Sequence, residues 1–263
     1  MYAVVRFHLV NLFSVRAVTT NAFTARTLVC PTPAGLKLGL LSKLIERDGV
    51  GRAQEHLEWL APLRVGWEPP PLLAVSAATM TVLKDDSGRT PLIRSVGMRE
   101  YAHYDEPFGL TLGPIVSAER RADAAFALAN LRALGIAESF VQPLAPPTWR
   151  DEAPGGVVWL TSELRGEARD GAGGQAGGDA RGEARADATN RDGEAALLDD
   201  LGSAPSFERL SIYRPNERAY VPRLGEDRRR TIVVLPLRQR RQSLHGRELV
   251  YEPRQAPSAK GGG

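Results

Sequence analysis

Residues 2–49 read YAVVRFHLVNLFSVRAVTTNAFTARTLVCPTPAGLKLGLLSKLIERDG. The stretch opens as a strand and closes as a helix. Val4, Val5, Phe7, Leu9 and Val10 make residues 2–10 a mostly buried strand. Thr32 stands between Pro31 and Pro33, where it can cap a helix whose first turn tolerates proline. Leu36, Leu40, Leu41, Leu44 and Ile45 recur at helical spacing on one face, and Gly49 and Gly51 stop the run. Between strand and helix, Ser14 to Cys30 form a Thr- and Arg-rich loop with no carboxylate. The first acidic side chain is Glu46, after Arg6, Arg16, Arg26, Lys37 and Lys43. Structureless loops above about 12 residues are uncommon in compact domains unless they serve a function or stay disordered.

Working outward, residues 51–60 read as a second short helix and 72–84 as a strand closed by the turn DDSG. MREYAHYDEPFGLTLGPI reads as a strand or strand pair, broken at Pro107 and Gly109. SAERRADAAFALANLRALGI is the clearest helix: Ser117 opens it, Ala125, Leu128, Leu131 and Leu134 line one face, and Gly135 ends it. SFVQPL, 139–144, follows as a strand. The order strand, helix, strand, strand, helix, strand predicts an α+β, ferredoxin-like domain over residues 1–148. Residues 149–255 predict a smaller β-rich extension, with GVVWL, FERLSIY, RTIVVLPL and RELVYEP as strands. Within it, residues 165–197 are Gly, Ala and charge with few large apolar side chains, a composition that predicts a disordered insert. Residues 256–263 predict a flexible tail.

The 263 residues are 43% apolar and 25% charged, values of a globular protein and not of a disordered one. Four Lys stand against thirty Arg, a bias that GC-rich coding alone can produce. Distribution says more than the net charge of +3. Residues 161–201 hold ten acids and five Arg, which leaves +8 on the remainder. Residues 228–254 carry eight Arg against Glu248 and Glu252. A basic body with a mildly acidic insert predicts an anionic partner. Cys30 is the single cysteine, so an intrachain disulfide and a Cys-rich metal site are both excluded. Arg6, His8 and Asn11 interrupt the N-terminal apolar run, unlike a signal peptide. No stretch approaches the about 18 apolar residues of a spanning helix, so a cytoplasmic protein without membrane contact is expected.

Four groups could carry chemistry. Arg16 and Arg26 can pair phosphates bidentately, while Thr19 and Asn21 offer short hydrogen-bonding groups beside them. The helix start PTPAGLKLG has free backbone N–H groups, with Lys37 on its first turn and Lys43 further along. Tyr101 and His103 share one face of a strand, suited to base stacking or to general acid/base work with a nearby Lys. Arg228, Arg229 and Arg230 precede one strand, and Arg238, Arg240 and Arg241 follow it, as on a phosphate track. No Ser-His-Asp arrangement, zinc spacing, dinucleotide fingerprint or P-loop is present, and no cofactor or metal is expected.

The segments AVVRFHLVNLFSVR, TARTLVCPTPAGLKLGLLSKL, REYAHYDEPFGLTL, LGIAESFVQPL and TIVVLPLRQRRQSLHGRELVYEP, in that order, resemble the CRISPR-associated RAMP proteins. They are most similar to the fifth Cas family, a subunit of type I Cascade surveillance complexes. The resemblance implies binding of the repeat-derived 5′ handle of crRNA at one end of the complex. It also implies contact with the backbone RAMP subunit and the large subunit, and with target DNA only through them. One branch of the family cleaves repeat precursor RNA without metal, using Tyr, His and Lys; here Tyr101 and His103 with Lys37 or Lys43 are the nearest match. Three readings follow: a non-catalytic RNA-binding subunit in antiviral defence, a metal-independent endoribonuclease, and a protein scaffold whose arginine surplus is coding bias.

Overall fold

The computed structural model describes residues 1–15, 24–84, 93–135, 139–161, 193–210, 224–243 and 248–254. Strand β1 (Tyr2–Leu9) alternates strictly: Ala3, Val5, Phe7 and Leu9 are buried, while Arg6 and His8 are exposed. It is therefore half-buried, not the mostly buried strand its composition suggested, because helices cover one face of its sheet only. After the short β2 (Thr24–Ala25), helix α1 (Pro33–Asp48) starts where the sequence placed it, with Thr32 Oγ1 accepting from Gly35 N at 3.0 Å. Its apolar stripe buries Leu36, Leu40, Leu41 and Leu44, each worth about 2 kcal/mol of transfer free energy. A 3-10 turn at Val50–Arg52 leads into α2 (Ala53–Leu60). The next strand, β3 (Arg64–Glu68), was not anticipated. Its RVGWE sequence has only two large apolar residues, and Gly66 is required because a Cβ there would collide with the Val157 side chain.

Two twelve-residue strands follow, β4 (Leu73–Lys84) and β5 (Ile93–Tyr104), then β6 (Phe108–Gly113). Helix α3 (Ala118–Asn130) is capped by Ser117, whose hydroxyl accepts from Arg120 N. It ends at Asn130, five residues before Gly135, and the backbone of Leu131 is already extended. Leu131 and Leu134 then plug into the core as loop residues. Short strands β7 (Val141–Pro143), β8 (Thr148–Arg150) and β9 (Val158–Trp159) complete this half of the chain.

The first sheet runs β7-β1-β6-β3-β9, with β8 also paired to β1, and these pairings are antiparallel. The strands after each helix are β3 and β7. Between β3 and β6, the chain detours into a second sheet. Segment 72–84, expected in the first sheet, lies in the second, as does the part of the next segment up to Tyr104. The break predicted at Pro107 is real, whereas Gly109 lies inside β6. Across the strands Gly109 faces Glu68, whose Oε2 a Cβ would meet at 2.6 Å.

The distal part of the chain supplies β10 (Glu194–Leu201), α4 (Phe207–Leu210), β11 (Arg228–Leu235), β12 (Leu237–Gln242) and β13 (Glu248–Pro253). The expected disordered insert overlaps β10 at 194–197, and those residues are ordered strand; what precedes Gly193 back to 165 lies outside the described residues, as does the 256–263 tail. Order there comes from pairing: β10 and β11 form a two-stranded ribbon with Leu198 and Leu201 fully buried. FERL is a helical turn and not a strand, because Asp227 Oδ1 accepts from Ser206 N and caps it. The second sheet runs β12-β13-β4-β5-β2. Among the described strands only β2 with β5 pairs in parallel. The molecule is thus a mixed α/β protein with mostly antiparallel sheets. Phe13, just past β1, joins the second sheet by two hydrogen bonds to Ala102, of 2.8 and 2.7 Å.

Candidate nucleic-acid interface

The register of β4 and β5 decides which side chains share a face. Leu73 faces Tyr104, Ala74 faces His103, Val75 faces Ala102 and Ser76 faces Tyr101. Leu73, Val75, Ala102 and Tyr104 are buried, so the sheet's other face carries Ala74, Ser76, Tyr101 and His103. Strand β13 extends the rows, placing Val250 beside Ala74 and Glu248 beside Ser76. Strand β12 adds Arg241 beside Val250 and Arg238 beside Glu252, with Arg240 at a bulge between them. One row therefore runs His103, Ala74, Val250, Arg241. Its ends are three strand spacings apart, about 14 Å.

The outcome is a shallow trough. Small residues of β4 (Ala74, Ser76 and Ala78) and the β13 residues Glu248, Val250 and Glu252 lie between Tyr101 and His103 on one side and the three arginines of β12 on the other. His103, Arg238, Arg240 and Arg241 are exposed. Arg240 pairs loosely with Glu252 at 3.6 Å. An open hollow of about 780 Å³, lined by Pro71, Arg238, Glu252, Pro253 and Arg254, lies at the Arg238 end. Such a surface offers guanidinium groups for phosphates and flat rings for bases. The opposite face anchors it. Tyr104 donates to Val29 O at 2.7 Å, and burial holds its phenol well above the ordinary tyrosine range. Burial, reinforced by Glu194 and Glu100, also pushes Tyr251 up to about 12.

The remaining expected site residues have varied positions. Arg16, Thr19 and Asn21 lie outside the described residues. The base of their loop is pinned, with Val15 N on Thr27 Oγ1, Thr27 N on Glu100 Oε2 and Ser14 N on Ser139 Oγ. Arg26 is exposed at the β2 edge, close enough to Glu194 to influence its carboxyl. Lys43 is half-buried and pairs with Glu46 at 2.7 Å.

Lys37 requires correction. It is fully buried, donating to Asp200 Oδ1 at 2.8 Å and to Ala61 O at 2.7 Å. Burial pushes its ammonium down in pKa while Asp200 pushes back. A helix-start lysine that faces the β10–β11 ribbon reaches neither a phosphate nor the Tyr101–His103 pair, so the three-residue catalytic set is not assembled.

The first arginine group also reads differently. Arg228 pairs with Asp199 at 2.6 Å and Arg229 with Asp200 at 2.6 Å, leaving Arg230 exposed. Their acidic partners are 29 residues away in the chain, so the cluster looked unopposed in sequence. Sequence reasoning missed Ala74, Ser76 and Glu248. The alternation LAVSAATMT, large then small, was the available signal for the floor.

Among the described residues no group of three or more His, Cys, Asp or Glu could hold a metal ion, and no helix is long and apolar enough to cross a membrane. No protein-family model and no curated protein matches the chain. Solved structures do. A chain of a CRISPR RNA-guided surveillance complex is 19% identical, over 55% of this chain and 61% of that one, at TM-score 0.37. The chain thus spans less than two thirds of that neighbour. A Cas protein is 24% identical over 59% and 67%, at TM-score 0.30. A CRISPR protein from Archaeoglobus fulgidus is 11% identical over 97% and 92%, at TM-score 0.34. At these TM-scores none carries weight for function, which has to come from the chain's own residues.

Proposed function

We propose that this chain is a CRISPR-associated RNA-binding subunit of the RAMP type, which holds the repeat-derived 5′ handle of crRNA and caps a Cascade effector complex in the cytoplasm. The observation that carries this reading is the open face of the second sheet, where Arg238, Arg240 and Arg241 stand across a flat floor from Tyr101 and His103. Phosphates lie along the arginine wall and unstacked bases lie toward the rings. The order of sequence segments that resembles the fifth Cas family supports it. So does the strand order of the first sheet, in which β1 and β6 sit between the two strands that follow helices, as a ferredoxin-like domain over residues 1–148 requires. Arg16, Thr19, Asn21, Arg26 and Lys43 are the further RNA contacts of this reading. Backbone RAMP and large subunits are its protein partners.

The test is labelled CRISPR-repeat RNA with EDTA, run on native and denaturing gels. Retained, uncut RNA that outcompetes scrambled RNA at physiological salt is the expected result; failure to bind overturns the reading. One observation favours a second reading, metal-independent repeat cleavage: Tyr101 and His103 stand two residues apart on the same face. It predicts a single cut that His103→Ala abolishes, achieved without Lys37.

A further inference from the structure

We propose that Glu248 reads a nucleobase on the trough floor and that the base it selects is guanine. This rests on the RNA-binding reading above. Glu248 is exposed and lies in one row with Ser76 and Tyr101. Neighbouring Cβ atoms in such a row are about 5 Å apart. A carboxylate beside a phosphate track repels the strand that the arginines attract. Glu252 is offset by Arg240, whereas Glu248 has no ion pair among the described residues. Strand chemistry does not account for it either. Glu248 opens β13 at the end of the β12–β13 hairpin, where its carbonyl accepts from Ser243 N and its N–H donates to Ser243 Oγ; both contacts use its backbone and leave the carboxylate to the open face.

What a bare carboxylate gains from a nucleic acid is N–H donors. Guanine presents two side by side, N1–H and the N2 amino group, matched to the two carboxylate oxygens as a guanidinium would be. Adenine and cytosine place a ring acceptor beside their single amino group, which repels the second oxygen. Uracil sets its one N–H between two carbonyls. Ala74 and Ser76 leave room for a planar ring above the sheet, and Tyr101 and His103 supply its side wall.

The experiment is fluorescence anisotropy of the full chain with labelled oligouridine carrying one central guanine, inosine, adenine or cytosine. Guanine should bind about tenfold tighter than the others, the scale of one bidentate base contact. Inosine, lacking the N2 amino group, should lose most of that gain. Glu248→Gln should erase the preference while plain oligouridine binds at least as well as to wild type, which also reports an intact fold. Binding without guanine preference, or a preference that survives Glu248→Gln, overturns this inference and leaves the RNA-binding reading standing. No binding to any oligonucleotide or to repeat RNA overturns both.

Discussion

Lys37 shows how one contact changes the meaning of a residue. With its ammonium on Asp200 and Ala61 O, it joins α1 to the β10–β11 ribbon from inside the protein. Removing one partner of a buried pair strands the other, at about 3 kcal/mol when, as here, Arg229 still contacts Asp200. Lys37→Met should lower unfolding free energy by that amount in a urea titration, while the folded protein keeps its affinity for RNA. A phosphate contact would give the opposite result, with stability kept and affinity lost. Tyr251 yields a pH prediction. Its pKa is raised by folding to about 12, from an ordinary value of 10.0, so the stability it contributes is whole below pH 10 and is lost as pH rises through about 12. Tyr104 shifts in the same direction. Alkaline urea melts of Tyr251→Phe should lose stability less steeply than wild type over that range.

At the scale of elements, β12 carries the sharpest test. If Arg238 and Arg241 each neutralise one phosphate, replacing either with Ala should reduce the slope of log affinity against log salt by about 0.7. An unchanged slope would remove that residue from the interface. The floor strand β4 should respond to bulk and not to charge: Ala74→Leu changes an outward position, so stability should stay within about 0.5 kcal/mol while RNA binding weakens. Helices α1 and α3 were legible because their caps and apolar stripes are local, three or four residues apart. Strand β3 was not, because its place between β6 and β9 depends on Trp67 meeting Leu110 and Val158, residues far along the chain. The trough failed to emerge for the same reason. Tyr101, His103 and the β12 arginines were each picked out from sequence, but only strand pairing assembles them around Ala74 and Ser76.

For the whole molecule, long-range charge pairing alters what composition suggested. Asp199 and Asp200 counted only toward the acidic stretch 161–201, and Arg228, Arg229 and Arg230, expected to precede a strand, looked like a free basic cluster although they lie within β11. In register, Asp199 and Asp200 meet Arg228 and Arg229, so much of that apparent positive charge cancels internally. Of the arginines in residues 228–254, those left exposed include Arg230 and the three of β12, and β12 belongs to the face proposed above for an anionic partner. The split of the β-rich half into a sheet and a separate ribbon was likewise beyond a linear reading, since β10 and β11 find each other across residues 202–227.

The Phe13–Ala102 bridge joins two sheets that otherwise have separate hydrogen-bond ladders. Chain leaving the centre of the first sheet is stitched directly to the wall of the trough, so opening one sheet exposes the seam of the other. The two should therefore open as one cooperative unit, in the sense that native-state hydrogen exchange gives to a foldon. In exchange experiments the amides of Phe13 and Ala102 should share the protection of Val5 in the core of β1. If they exchanged with the faster kinetics of β12 instead, the sheets would be separate units and the trough could deform without disturbing the helical half.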